Sequence, residues 1–303
     1  MNGSSLPAVK AGKKNFNFMP YLFIAPHIVI FIIFFAIPMF VGIYASFTRW
    51  NIYTSPVWVG LENYRTILFN KGSTFYRQFW SGLGRTILFT VMCVPPQIIL
   101  PLLFAWLLST KPKCSGFFRS VFYLPTMFSI SSAMLAWLYI FHRQFGLFNR
   151  VLGFDIAWLN HQPFLWIALV VTTLWWCLGT NMIIYIAALS RVDSSMIEAS
   201  ELDGASFTQR FWYIILPSIR FPLVYTIVVT VVQQLNIYGQ PIMLTTGAKP
   251  PESVFVLLIY IRELAFGTGN PIAGMASAMA TMLGLLIGVI SLVQLRLLRS
   301  RDV

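Results

Sequence analysis

Uncharged polar side chains and aromatic rings interrupt two long apolar stretches of this 303-residue chain. Aromatic rings can stack on the apolar face of a sugar, and amides can hydrogen-bond to its hydroxyl groups. Such residues would therefore suit a water-filled path for a polar, uncharged solute. The candidate path residues are Trp175, Trp176, Thr180, Asn181, Thr230, Gln233, Gln234, Asn236 and Tyr238, with Gln97 in an earlier stretch.

The same amides have a second interpretation. An amide in hydrocarbon costs free energy unless it is hydrogen-bonded, so each could instead bond across helices and hold a bundle together. Both interpretations stay open for every amide. No Lys or Arg lies within the apolar stretches, and this argues against an anionic solute.

Reactive chemistry is sparse elsewhere in the chain. The three histidines, His27, His142 and His161, have no partner at metal-ligand spacing, and the three cysteines show no metal-binding pattern. The sequence contains neither a phosphate-binding G-x-x-x-x-G-K-[ST] loop nor a G-x-S-x-G nucleophile turn. We therefore expect no catalytic site, no metal and no cofactor in this chain.

The apolar stretches also lack Asp and Glu. Carriers driven by protons or sodium usually place a carboxylate inside the membrane to bind the coupling ion. An autonomous secondary carrier or channel for a small polar solute is therefore disfavoured. This carrier or channel stays an alternative because backbone carbonyls can bind sodium. A membrane scaffold without transport is a further alternative.

The segment 191–220 concentrates charge. It holds four of the nine acidic residues, namely Asp193, Glu198, Glu201 and Asp203. Two capping-box patterns, Ser-x-x-Glu at 195–198 and Ser-x-x-Gln at 206–209, predict two helix starts. Gly204 lies between them, where the first helix should end. The segment therefore indicates two short helices at an angle.

The second of these helices should rest on the membrane-embedded body. Phe207, Phe211 and Ile215 recur every four residues, so they share one apolar face. The first helix and the turn are left exposed to water. This arrangement predicts a docking surface for a partner on one side of the membrane.

Composition places the chain in a membrane. Only 10% of its residues are charged and 57% are hydrophobic, whereas soluble domains carry about 25% charged residues. The fold class is therefore an all-α polytopic bundle in contact with the lipid bilayer. A net charge of +12 would favour nucleic acid in a soluble protein. Here basic residues flank membrane spans, and we expect no nucleic-acid partner.

Six stretches are long enough to cross the hydrocarbon core, namely 21–47, 86–109, 121–141, 164–189, 221–238 and 272–295. The apolar segment 254–261 is too short, and we expect it in an interfacial or re-entrant piece. Six spans place both termini on one side, together with the segment 191–220. Lys and Arg are denser on that side, which predicts that it is cytoplasmic. We therefore expect an N-terminal tail 1–20, a membrane domain 21–297 and a C-terminal tail 298–303.

The segment 191–220 resembles the EAA loop of binding-protein-dependent ABC importers. Glu-Ala-Ser at 198–200, Asp-Gly-Ala at 203–205 and Leu-Pro at 216–217 follow the family pattern E-A-A, three residues, G, about nine residues and I-x-L-P. Ser200 replaces the second alanine, a small residue for a small residue. Further segments are similar to the sugar-permease branch of the family, and they are 59–64, 117–119, 123–125 and 146–149.

The resemblance implies the type I ABC importer permease fold with six transmembrane helices, in a bacterial or archaeal inner membrane. It implies that this chain is the first permease of a heterodimeric pair. The partners would be a second homologous permease, an extracytoplasmic solute-binding protein, and two cytoplasmic ATPase subunits that bind ATP and Mg.

The resemblance also implies roles for particular residues. The ATPase-coupling residues would be Glu198, Ala199, Ser200, Asp203, Gly204 and Ala205. The cargo site would lie on the helices that flank the loop, where the two polar clusters are found. Gln233 and Gln234 differ from the maltose-type pattern, so a different cargo is expected, with an oligosaccharide favoured.

Overall fold

The computed structural model describes residues 19–110, 112–153, 155–245, 251–267, 269 and 271–299, and most of them are helical. The helices before residue 160 are α1 Met19–Phe31, α2 Ile37–Ser46, α3 Glu62–Phe69, α4 Thr74–Ser109, α5 Ser115–Tyr123, α6 Ile130–Ile140 and α7 Leu147–Leu152. The later helices are α8 Phe164–Leu189, α9 Ser194–Leu202, α10 Phe207–Arg210, α11 Leu216–Ser218, α12 Arg220–Leu235, α13 Gly239–Leu244, α14 Leu257–Phe266 and α15 Ala273–Arg299.

Short irregular turns connect several of these helices. The π-helical turns are Ile32–Ala36, between α1 and α2, and Phe211–Ile215, between α10 and α11. The 3-10 turns are Leu124–Met127, after α5, and Glu252–Val254, before α14. Two short strands, β1 Thr48–Arg49 and β2 Val57–Trp58, pair antiparallel.

Four segments are long and apolar enough to cross a membrane on their own, namely Leu22–Ser46, Thr74–Ser109, Phe164–Leu189 and Ala273–Arg296. Two bent pairs meet the same criterion when each is taken as one unit, namely Ser115–Met127 with Ile130–Ile140, and Phe207–Ser218 with Arg220–Leu235. The predicted all-α bundle is therefore confirmed. By length and composition the described residues hold four candidate spans, or up to six if each bent pair is one span.

The third predicted span, 121–141, is not a single straight helix. The chain bends by 103° between Met127 and Ile130. Ser129 has an extended backbone, and its hydroxyl accepts a hydrogen bond from the backbone N–H of Ser132. This N-cap starts a new helix within one continuous apolar stretch, so hydropathy could not reveal the break.

Two other spans differ from their predicted bounds. The second begins at Thr74 rather than at residue 86, because Ser73 caps α4 by accepting from the backbone N–H of Phe75. The fifth ends at Leu235 rather than at 238. It is preceded by a 75° bend between Ser218 and Arg220. Hydropathy reports where apolar residues lie, whereas caps and bends decide where a helix begins and ends.

Helix α4 is the central element of the bundle. It contacts α8, α12 and α14, and it contributes side chains to each of three clusters of buried apolar residues. The segment 254–261, which leads into α14, packs into this core. Val254, Val256 and Leu257 are fully buried, so the apolar character of this short segment is accounted for by helix packing. Its position relative to a membrane stays a prediction.

The first span contrasts with the others in its exposure. In α2, Ala45 and Ser46 are the buried residues, both at its C-terminal end. The rest of the described span presents large apolar side chains, such as Phe34 and Phe40, to its surroundings. Apolar side chains exposed in this way are typical of a helix that faces lipid or a second membrane protein.

Two buried asparagines organise the connections at the end of the bundle opposite α9. The Asn63 amide donates to the carbonyls of Ser46 and Thr48, each at 2.9 Å. The Asn149 amide donates to two further loop carbonyls, and its oxygen accepts from the Trp158 indole at 2.8 Å. Each asparagine therefore satisfies backbone carbonyls that no helix ladder serves.

Candidate functional site

The segment 191–220 folds as two helices joined by a tight turn. The carboxylate of Asp193 accepts a hydrogen bond from the backbone N–H of Ser195 and caps α9. This bond favours the charged carboxylate, so it lowers the pKa of Asp193. The prediction that a capping box at 195–198 opens this helix is therefore wrong. Aspartate is as good a cap as serine, and Asp193 comes two residues earlier.

Gly204 ends α9, as predicted. Its φ is +79°, a left-handed conformation that glycine adopts without steric cost. The N–H of Gly204 donates to the carbonyl of Glu201 at 3.1 Å, and the N–H of Ala205 donates to the carbonyl of Ser200 at 2.9 Å. These are the two hydrogen bonds of a Schellman motif, which closes a helix and reverses the chain.

The second predicted capping box is confirmed. The hydroxyl of Ser206 accepts from the backbone N–H of Gln209, and the side chain of Gln209 accepts from the backbone N–H of Ser206. The next helix therefore begins at Phe207, three residues after Gly204. The turn between the two helices is short, and the backbone N–H groups of Gly204, Ala205 and Ser206 are all hydrogen-bonded.

The second helix is anchored to α4 through Trp106. The Phe207 ring stacks on the indole with centroids 3.8 Å apart, and the Phe211 ring lies 4.4 Å away at a tilt. Phe211 and Ile215 are buried in the same cluster. The expected apolar face is confirmed for these residues. Arg210 also forms an ion pair with Glu201, which ties the second helix back to α9.

The six predicted coupling residues do not all face the same way. Glu198, Ala199, Asp203 and Gly204 are exposed, and Ala205 is half-buried. Ser200 is buried, and its hydroxyl donates to the carbonyl of Ile197 within the helix. Next to the turn, Leu202 is 90% exposed. This apolar side chain lies at the end of α9, between the carboxylates of Glu201 and Asp203.

A cavity of about 590 Å³ opens among α8, α12 and α13 and beside the break between Met127 and Ile130. Its wall consists of Gln97, Thr126, Ile130, Trp176, Cys177, Thr180, Asn181, Gln233, Gln234, Asn236, Ile237, Tyr238, Gly239, Gln240 and Met243. Seven of the nine predicted path residues are in this wall. The described lining residues carry no charged side chain.

The two predicted path residues outside the wall have structural contacts instead. Trp175 meets Trp137 edge to face, with ring centroids 5.6 Å apart, and packs against the apolar core. Thr230 is buried behind the wall. Successive residues on a helix point about 100° apart. Trp175 therefore faces the core, whereas Trp176 faces the cavity, and its indole N–H donates to the carbonyl of Phe128 at 3.1 Å.

A buried hydrogen-bond network joins three helices behind the cavity. The Asn181 amide on α8 donates to the backbone carbonyl of Gln97 at 2.9 Å and to the Thr230 hydroxyl at 3.1 Å. Pro101 explains why this carbonyl is free. It lacks the N–H that would bond four residues back, so the carbonyl of Gln97 has no helical partner, and Asn181 takes that place.

A further bond joins α12 directly to α4. The Gln234 side-chain nitrogen donates to the Gln97 side-chain oxygen at 2.9 Å. Asn181 and Gln234 thus bond across helices, as the packing interpretation requires, and also line the cavity. Gln233 and Asn236 are exposed at the cavity wall. They are the amides whose position fits contact with a solute most directly.

Sequence reasoning missed several wall residues. Gln240 and Met243 lie on α13, which a hydropathy search did not mark as an element. Gly239 lets α13 approach α6, because a Cβ atom there would lie 2.6 Å from Cδ1 of Ile130. One signal in the sequence could have indicated the role of Gln97. A proline four residues later leaves the backbone carbonyl of Gln97 without its helical donor, so a donor from a neighbouring helix can bond to it. Among the described residues, no group of three or more His, Cys, Asp or Glu could hold a metal ion.

The family described as binding-protein-dependent transport system inner membrane component matches residues 67–301 of this chain. One relative is the "Probable starch degradation products transport system permease protein AmyD" of Thermoanaerobacterium thermosulfurigenes. It is 31% identical over 285 residues, which cover 93% of this chain and 94% of the relative. The arabinooligosaccharides transport system permease protein AraP of Bacillus subtilis is 28% identical, covering 92% and 88%.

The fold is similar to that of a solved structure as well. A chain of the bacterial alginate ABC transporter in complex with alginate pentasaccharide-bound periplasmic protein superposes with a TM-score of 0.74 at 20% identity. The superposition covers 91% of this chain and 92% of the other. At this identity the similarity concerns the fold.

Proposed function

The chain belongs to the family of binding-protein-dependent transport system inner membrane components, and on that premise we propose that it is the permease subunit of an ATP-driven carbohydrate importer. It forms half of the translocation path, and a second homologous permease forms the other half. An extracytoplasmic binding protein delivers the cargo. Two ATPase subunits bind ATP and Mg and hydrolyse the ATP, so this chain is not itself an enzyme.

One observation carries the proposal, namely that the helices flanking the exposed turn are the helices that line the cavity. Helix α8 runs from the cavity to the turn, and α12 runs from the turn back to the cavity. A displacement of the turn therefore acts on both walls at once. The coupling residues are Glu198, Ala199, Ser200, Asp203, Gly204 and Ala205, with Leu202 as an exposed apolar contact.

The stiffness of the turn supports this role. The Schellman motif at Gly204, the capping box at Ser206 and the ion pair between Arg210 and Glu201 each fix its shape. The stack of Phe207 on Trp106 transfers motion to α4 as well. A flexible loop would absorb a push from a partner, whereas this segment can transmit it.

The cavity supports a neutral, polyhydroxylated cargo. Its described wall offers amides, hydroxyls and the rings of Trp176 and Tyr238, without a charged group. A volume of about 590 Å³ falls in the usual range for ligand sites, roughly 300–1,000 Å³. The names of the relatives, which refer to starch degradation products and arabinooligosaccharides, favour an oligosaccharide. The exposed path residues Thr180, Gln233 and Asn236 meet the cargo first, together with the half-buried Tyr238.

The membrane arrangement follows from the same assignment. The turn must face the compartment that holds ATP, so both termini and the segment 191–220 lie in the cytoplasm. The chain then resides in the inner or plasma membrane of a bacterium or archaeon. The tails 1–20 and 298–303 flank the membrane domain 21–297, although 1–18 and 300–303 lie outside the described residues.

Reconstitution tests the proposal. The chain is placed in proteoliposomes with a candidate second permease, ATPase and binding protein from the same organism, and uptake of radiolabelled neutral di- and trisaccharides is measured. Uptake should require ATP and every partner. Transport by this chain alone, without ATP, would refute the proposal and favour an autonomous carrier or channel.

A further inference from the structure

Gln97 has a combination of properties that no other residue of the cavity wall shares in the described part of the chain. It lies on α4 in the cavity wall, with 2% of its surface exposed. Its side-chain nitrogen Nε2 is buried, and no described residue accepts a hydrogen bond from it. The two acceptors of Gln97, its side-chain oxygen and its backbone carbonyl, both receive hydrogen bonds.

These neighbours determine what Gln97 can still offer. Gln234 donates to the side-chain oxygen and Asn181 donates to the backbone carbonyl, each at 2.9 Å. The carboxamide is therefore held by α12 while its backbone is held by α8. What remains is the NH₂ group, which has two hydrogens and no acceptor. A buried donor left unpaired is unfavourable, so an acceptor oxygen bound at this point of the wall would stabilise the site.

We infer that Gln97 is a cargo-binding residue that donates from Nε2 to an oxygen of the sugar. This inference rests on the proposed function and adds a ligand from α4 to the predicted ligands on α8 and α12. A hydroxyl, ring or glycosidic oxygen satisfies the free donor. An ammonium group at the same place can only donate hydrogen bonds and cannot accept one from Nε2. The site therefore selects against amino sugars in their charged form.

The test compares sugar transport with ATP hydrolysis in the reconstituted complex. The variant Gln97→Met keeps a side chain of similar length and removes the donor. The control Thr90→Val changes another buried residue of α4, whose hydroxyl bonds only to the carbonyl of Thr86 within the helix. The probes are radiolabelled maltotriose and other neutral di- and trisaccharides. The readout is the initial uptake rate divided by the rate of binding-protein-stimulated ATP hydrolysis.

Gln97→Met should lower this ratio about 3- to 10-fold, the effect of losing one hydrogen bond, while Thr90→Val leaves it unchanged. An unchanged ratio in Gln97→Met, with normal uptake by the wild type, overturns the inference and leaves the proposed function intact. If the wild type transports no sugar with all partners present, both fall.

A purely structural role for Gln97 would lower uptake and ATP hydrolysis together, and this outcome also overturns the inference. Should Gln97→Met fail to assemble, Gln97→Glu is measured in its place. Glutamate keeps the shape and the acceptor for Gln234, and once ionised it has no hydrogen to donate, so this variant and the wild type are compared at alkaline pH. The same reduction in the ratio is expected, and wild-type coupling in this variant counts against the inference.

Discussion

Phe207 lies nearly parallel to Trp106, with ring centroids 3.8 Å apart and an angle of 15° between the planes. Together with the contact of Phe211 on the same indole, this stack joins the segment after the turn to the central helix α4. Since α4 also carries Gln97 into the cavity wall, the proposed coupling surface and the proposed cargo site are both connected to one helix.

Replacement of Trp106 should uncouple the turn from the bundle. Trp106→Ala removes a buried ring, which costs about 3–5 kcal/mol when such a residue is truncated in a core, and it frees Phe207 and Phe211. We expect the complex to assemble with reduced sugar uptake per ATP hydrolysed. Trp106→Phe keeps a ring in the stack and should retain most of the activity. Equal loss in both variants would show that the stack does not transmit motion.

Replacement of Gly204 tests the turn itself. A Cβ atom at this position meets no atom of this chain within 4 Å, so within the chain a side chain acts through the backbone conformation. Gly204→Val places a β-branched residue at a φ of +79°, a strain of about 1–2 kcal/mol. Membrane insertion, measured by protease protection, should survive while uptake falls.

Two controls sharpen the Gly204 experiment. Gly204→Asn should retain uptake, because asparagine tolerates the left-handed region. Gly153→Val introduces the same kind of strain at a φ of +68°, also in open space, far from the turn. It should leave uptake per ATP unchanged. Normal uptake in Gly204→Val would argue strongly against a docking role for this turn.

The network around Pro101 gives a prediction of rescue. Asn181→Leu removes the donor to the Gln97 carbonyl and should destabilise the purified permease by about 1–3 kcal/mol, the cost of a buried unpaired acceptor. Pro101→Ala in the same chain restores a backbone N–H at the position that can bond to this carbonyl. The double variant should therefore unfold at a higher temperature than Asn181→Leu alone.

The control for this rescue is Asn236→Leu, which removes an exposed amide that bonds only within its own helix, to the carbonyl of Val232. It should change the unfolding temperature little. If Pro101→Ala gives no recovery, the carbonyl of Gln97 is not the acceptor that matters for stability.

Asn149 should be sensitive to the loss of two hydrogen atoms. Asn149→Asp keeps the size of the side chain but replaces its NH₂ group, so the carbonyls of Arg143 and Ile156 lose their partner. We expect the free energy of unfolding to fall by about 1–3 kcal/mol for each carbonyl, seen as a lower midpoint in thermal unfolding. The exposed Asn160→Asp is the matched control. Equal midpoints for the two variants would show that the hydrogen bonds from Asn149 to these two carbonyls do not stabilise the fold.

Sequence patterns predicted the features that depend on neighbouring residues. The spans followed from runs of apolar residues, and the end of α9 followed from Gly204 because few other residues adopt its backbone conformation. The capping box at 206–209 was equally readable. At the start of α9, two adequate caps compete within three residues, and the local pattern at 195–198 did not reveal that Asp193 acts first.

The rotation of helices about their axes was harder to predict. Trp175 and Trp176 look equivalent in the sequence, but they are about 100° apart around α8, and only the packing of α6 decides which one faces the cavity. The break after Met127 was hidden for a similar reason, since a serine within an apolar run reads as a tolerated polar residue. The part played by Gln97 depends on Pro101, Asn181 and Gln234 together, which lie on three different helices.

Pro101, one of three prolines within α4, also limits how far α4 and α8 can slide past each other. Inside a regular helix every backbone carbonyl already accepts a hydrogen bond, so a side chain on a neighbouring helix has no free carbonyl to bond to. Pro101 leaves the backbone carbonyl of Gln97 open to the Asn181 amide, and a shift of one residue, about 1.5 Å, would break the hydrogen bond between them. The missing N–H group of Pro101 thus favours one alignment of α4 and α8 along their axes.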